Sequence, residues 1–186
     1  MAQLTDKRIA ILVADGFEEV ELTSPKEALE QAGAKVEIVS LKSGSVRAKE
    51  GLEWTNDYKV DVSIESASVE AYDGLMLPGG VISPDALRTN EQALTFVTSF
   101  FNSHKPVAAI CHGPQVLINS EVVQGRKMTS VEAIRLDLIH AGAQWEDAEV
   151  IVDQGLVTSR TPKDLPAFNR KMIEEFVEGK HSGQHA

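Results

Sequence analysis

A single cysteine, Cys111, in 186 residues excludes an intrachain disulfide. With no basic stretch leading into an apolar segment and a cleavage site at the N-terminus, no signal peptide is expected, and a reducing cytoplasm is the expected setting. No apolar run approaches the ~20 residues that a membrane helix needs. Basic residues are in the minority: 18 Lys and Arg against 28 Asp and Glu give a net charge of −10, which argues against general nucleic-acid binding through a basic footprint. The chain also lacks a Gly-x-Gly-x-x-Gly fingerprint, a phosphate-binding loop, internal repeats and low-complexity segments. No metal-ligand cluster is legible. His181 and His185 stand at i, i+4, but in a polar tail (180–186) expected to fray, so no metal and no cofactor are expected. His104 and His140 fall on helical stretches and read as surface or interface residues.

What remains is an ordinary globular composition, 42% hydrophobic and 25% charged, on a length that suits one domain, 1–186, with a single substantial core. Apolar strand-like runs alternate with amphipathic helical stretches. Strands are expected over 8–14, 35–41, 74–78, 106–110 and 127–130. A hairpin is expected over 149–159 around Asp153-Gln154-Gly155. Helices are expected over 24–32, with Ser24 as cap and Pro25 in the first turn, and over 83–104, 114–123, 131–141 and 161–178. Residues 42–63 read as short hairpin strands at an edge. This alternation predicts an α/β fold, a mainly parallel sheet with helices on both faces. Such sheets bind ligands at the carboxyl ends of their strands.

Three strand ends carry polar or glycine-rich segments: Asp15-Gly16-Phe17-Glu18-Glu19, Gly79-Gly80 and Cys111-His112. Cys111 sits between a strand and a helix, where unpaired backbone N–H groups favour an anion and raise the thiolate fraction. A carboxyl facing that thiolate is tolerable only when protonated, with its pKa raised by burial and by the adjacent charge. It could then donate a hydrogen bond and move a proton. Glu18, beside the Phe17 ring, is the candidate for this role. Gly79 and Gly80 are candidates for an oxyanion and substrate-binding site, with the His112 N–H as a further donor. His112 is a candidate base or orienting group, and Asp85, also a natural first-turn helix acid, a candidate third member.

The segment Ala109-Ile110-Cys111-His112-Gly113-Pro114-Gln115, with Leu77-Pro78-Gly79-Gly80 and Asp15-Gly16-Phe17-Glu18, closely resembles the PfpI family of the ThiJ/PfpI superfamily. Further matches run through 125–127, 147–150 and 158–166, so the resemblance covers nearly the whole chain. It implies a flavodoxin-like three-layer sandwich whose nucleophile elbow holds Cys111 in a strained conformation. It also implies Glu18 as the acidic partner, His112 as the histidine, and an acid from a neighbouring subunit, matched here by Asp85. Homodimers, and hexamers in some members, are implied as well. The implied activities are a cofactor-free deglycase or glyoxalase acting on reactive carbonyls or on glycated proteins and nucleotides, an intracellular cysteine peptidase, or a redox-sensing chaperone. The carbonyl enzyme is the expected one. A glutamine amidotransferase is excluded, since no late His-x-Glu pair supplies a base.

Overall fold

The computed structural model describes residues 3–184 and 186; the His185 reading lies outside them. In chain order the elements are β1 (Arg8–Leu12), β2 (Phe17–Glu18), α1 (Glu19–Gln31), β3 (Lys35–Ser40), β4 (Ser45–Glu50), β5 (Glu53–Lys59), β6 (Val62–Ser63), β7 (Gly74–Leu77), α2 (Ile82–Leu87), α3 (Glu91–Asn102), β8 (Val107–Ile110), α4 (Pro114–Asn119), β9 (Lys127–Met128), α5 (Arg135–His140), β10 (Gln144–Trp145), β11 (Val150–Asp153), β12 (Leu156–Ser159) and α6 (Leu165–Glu178). Seven strands form one sheet in the order β11-β12-β8-β7-β1-β3-β6. Every pairing in it is parallel except β11 with β12, the hairpin at one edge. The strands are apolar on both faces, as a sheet covered on both sides requires.

Successive side chains of a strand point to opposite faces, so the sheet feeds two cores. Ala10, Leu12, Leu75, Leu77, Val107 and Ala109 meet the layer that carries Phe96, Phe100, Val116 and Leu138. Ile9, Ile11, Met76, Ala108 and Ile110 meet Leu22, Leu29, Phe168, Met172 and Phe176 on the other side. The three-layer α/β sandwich matches the expectation, and among the described residues no helix is long and apolar enough to cross a membrane.

Several boundaries differ from those expected. The first helix begins at Glu19, so Pro25 lies inside it rather than in its first turn. The long stretch 83–104 divides into α2 and α3, because Asn90 caps a new start by accepting from the Ala93 N–H at 2.9 Å. The edge hairpin β4–β5 joins β2 in a separate three-stranded sheet. The expected polar tail is anchored at single points, though Lys180, Ser182, Gly183 and Ala186 are exposed: Gln184 is fully buried, its N–H donates to the His181 carbonyl, and the His181 N–H donates to the His104 carbonyl.

Candidate active site

The carboxyl ends of β1, β7 and β8 converge on one rim of the sheet. After β1, the chain turns at Gly16 (φ +80°) and Phe17 enters the core. After β7, Gly79 and Gly80 pass beneath it, the Gly79 carbonyl accepting from the Glu18 N–H at 3.3 Å. After β8 comes Cys111, at φ +61°, a left-handed conformation rare outside glycine. Three hydrogen bonds hold this corner. The Cys111 N–H donates to the Ser159 carbonyl at 3.1 Å, its carbonyl accepts from the Val131 N–H at 3.2 Å, and the Gly113 N–H donates to the Ile110 carbonyl at 2.8 Å.

The glycines are required by proximity. A Cβ at Gly80 would stand 2.6 Å from the Gly16 carbonyl oxygen and 2.7 Å from the Glu18 nitrogen. A Cβ at Gly79 would strike Glu21 Oε2 and come 2.7 Å from Cys111 Cβ. One at Gly113 would stand 2.6 Å from the Leu77 carbonyl oxygen.

The carboxyl beside the thiol is Glu21, not Glu18. Glu21 is fully buried in the first turn of α1; its Oε2 accepts from the Gly79 N–H at 2.8 Å, its Oε1 makes no hydrogen bond, and the Cys111 thiol lies beside the carboxyl. Burial raises its pKa to about 7, against the opposing effect of the Gly79 N–H and the Cys111 thiol. Glu18 lies on β2, half-buried at the cavity wall, where its Oε2 accepts from the Gly51 N–H at 3.2 Å. Glu19 turns away to accept from Tyr58 Oη at 2.6 Å. The signal for Glu21 was its register. On a helix that begins at Glu19, it falls in the stripe with Leu22, Pro25 and Leu29, all buried. An acid on a buried stripe needs a reason to be there.

The thiol is not activated as a helix N-terminus alone would predict. Burial pushes the Cys111 thiol up, and the Glu21 charge adds to this; the N–H groups of His112 and Gly80, both directed at sulfur, act against it. The two buried acids share one site and titrate as a coupled pair, the Glu21 charge opposing ionisation of the thiol. His112 Nδ1 lies 3.3 Å from Cys111 Sγ. Adjacency in the chain therefore does not keep the two side chains apart. Burial lowers the His112 pKa, leaving the ring neutral at pH 7.

The expected oxyanion donors divide. Gly79 spends its N–H on Glu21, whereas Gly80 and His112 present theirs to the sulfur side. Asp85 is exposed on α2 and does not line the cavity, so within this chain it does not join the cysteine. The cavity in front of Sγ is about 680 Å³. Exposed Leu52, Val81 and Ile82 form an apolar rim, and among the described residues Lys49, whose ammonium sits 5.1 Å from the Trp54 ring centre, is the one Lys or Arg that lines it.

The model of the DJ-1/PfpI family matches residues 7–175. "Protein/nucleic acid deglycase 2" of Escherichia coli (strain K12) is 47% identical over 169 residues, 90% of this chain and 96% of that protein. "Putative cysteine protease YraA" of Bacillus subtilis (strain 168) is 46% identical over 168 residues, again 90% and 96%. The crystal structure of Drosophila melanogaster DJ-1beta superimposes with a TM-score of 0.84 at 26% identity, covering 92% of this chain and 90% of that one. The match runs through the sheet and both helical layers, and the relatives align along nearly their whole length; the chain belongs to the DJ-1/PfpI family.

Proposed function

We propose that this protein is a cofactor-free enzyme acting on reactive carbonyls or on glycated proteins and nucleotides, with Cys111 as nucleophile and Glu21 as acid–base group. The observation that carries the reading is the buried Glu21 carboxyl beside Cys111, with one oxygen held by the Gly79 N–H, the other unpaired, and a pKa near neutrality. A group poised there both gives and takes a proton at physiological pH. As sulfur attacks the carbonyl carbon of an aldehyde and forms a C–S bond, the Glu21 carboxylate takes the thiol proton and passes it to the carbonyl oxygen, giving a hemithioacetal. With a dicarbonyl, the carboxylate then removes the proton of the former aldehyde carbon and returns it to the neighbouring carbon, leaving a thioester. Water hydrolyses the thioester to a hydroxy acid and restores the thiol–carboxyl pair. The Gly80 and His112 N–H groups would face the developing oxyanion. The names of the deglycase relatives agree with such a substrate.

A second reading, a cysteine peptidase, is favoured by the 3.3 Å approach of His112 Nδ1 to Sγ. It would need an acid from outside the chain, for which Asp85 of a neighbouring subunit is the proposed source. Homodimeric or higher assembly is part of that reading, as is a single domain over 1–186.

Methylglyoxal turnover and cleavage of a fluorogenic peptide, measured side by side on variants, separate the two. For the carbonyl enzyme, Cys111→Ala abolishes aldehyde turnover, Glu21→Gln lowers it by about 10²–10⁴-fold, and Glu18→Gln changes it only a few-fold. Retention of turnover in Glu21→Gln would remove Glu21 from the mechanism. Peptide cleavage that needs Cys111 and His112, without aldehyde turnover, would establish the peptidase instead.

A further inference from the structure

We infer that Glu175, Glu178 and His181 form a binding site for a divalent first-row transition ion, zinc above all, on the face of the molecule where α6 hands over to the C-terminal segment. Glu175 and Glu178 stand one helical turn apart on α6. Gly179, at φ +82°, then ends the helix and turns the chain back, so that His181 comes alongside both carboxylates. One donor atom from each of the three lies within 4.8 Å of the others. Spacing of i, i+3, i+6 is not a metal signature for a helix that simply continues. The site exists because the chain reverses at Gly179.

Two observations separate this cluster from an ordinary acidic patch. His181 Nε2 is shielded from solvent and makes no hydrogen bond. The Glu175 side chain is 11% exposed, and its Oε2 stands 3.3 Å from that same nitrogen, an ion pair when the imidazole is protonated. A carboxylate and an imidazole nitrogen are thus packed together without a good hydrogen bond, next to a second carboxylate. A cation resolves all three. Two ligands of a tetrahedral zinc ion, at bonds of about 2.0–2.1 Å, lie about 3.3–3.4 Å apart, which is the separation found here.

The third ligand is also held in place beforehand. The His181 N–H donates to the His104 carbonyl at 2.9 Å, the His181 carbonyl accepts from the Gln184 N–H at 2.9 Å, and the His104 ring contacts the Gln184 carbonyl. The ring packs against Gly155, where a Cβ would stand 2.7 Å from His181 Cδ2. Nitrogen with two carboxylate oxygens suits zinc and its neighbours, whereas calcium and magnesium prefer all-oxygen sites. A bound ion would fasten the C-terminal segment to α6 and to the β11–β12 turn.

The test is calorimetric titration of zinc into the metal-stripped full chain carrying Cys111→Ser, which removes the competing thiol, with thermal unfolding followed in parallel. One equivalent per chain is expected, with a rise in Tm. Glu178→Gln, at an exposed position that cannot unfold the chain, and His181→Asn should each weaken binding by about tenfold or more and abolish the Tm rise. Failure to take up one equivalent, or equal affinity in the parent and both variants, would overturn the site.

Discussion

At the scale of single residues, Glu21 is where chemistry and stability meet. Its carboxyl is neutral and comfortable when protonated, but its ionised form is buried. The folded pKa of about 7 stands above the unfolded value of 4.5, so the folded state holds the proton more tightly. The stability this lends is complete below pH 4.5 and is lost as pH rises through 7. Glu21→Gln removes the titration while keeping an acceptor for the Gly79 N–H. Denaturant unfolding should show the parent losing up to ~3 kcal/mol against this variant between pH 4.5 and 8. A difference that does not vary with pH would show that Glu21 does not titrate in that range. The same residue marks the limit of what the sequence discloses. Cys111, the glycines and the three strand ends are all legible, because a strand followed by glycine or by a small turn has few alternatives. Which of three neighbouring acids turns inward depends on a helix start. Pro25 favours a start at Ser24, and only tertiary packing moves it back to Glu19.

At the scale of elements, α2 is the wall of the cavity, and a buried hydroxyl sets its position. Ser83 is fully buried, and its Oγ accepts from the Ala14 N–H at 2.9 Å, linking α2 to the segment leaving β1. Val81 and Ile82, on the cavity rim, precede it directly. Ser83→Ala leaves that N–H buried without a partner and should cost about 1–3 kcal/mol, measured by urea unfolding. KM should rise more than kcat falls, since the walls shift and the sulfur does not. Strand positions are legible in the sequence, since a parallel sheet buried on both sides makes each strand a continuous apolar run. Short helices are harder to delimit, and hydrophobic periodicity overstates their length. The separations between α2 and α3, and before α5 and α6, depend on caps and single 3₁₀ turns that hydrophobic periodicity does not register.

At the scale of the whole molecule, one sheet divides two cores. Phe100 and Phe168, both fully buried, belong to opposite sides of it. Each Phe→Ala replacement should cost about 3–5 kcal/mol. With the sheet between them, the two costs should add in the double variant to within about 0.5 kcal/mol. Marked non-additivity in equilibrium unfolding would mean that the layers communicate through the sheet. The corner at Cys111 sits between these layers, where β8 ends. Its backbone angle suits glycine, yet a side chain is carried there, so the fold forgoes stability at the one position where a thiol must project. Alanine at 111 deletes the sulfur but keeps the unfavourable angle; glycine releases both. The stability gained by Cys111→Gly over Cys111→Ala, expected to be about 1 kcal/mol, is therefore a direct thermodynamic reading of what holding a nucleophile at that corner costs. It also makes alanine, rather than glycine, the variant whose inactivity can be ascribed to the missing sulfur alone.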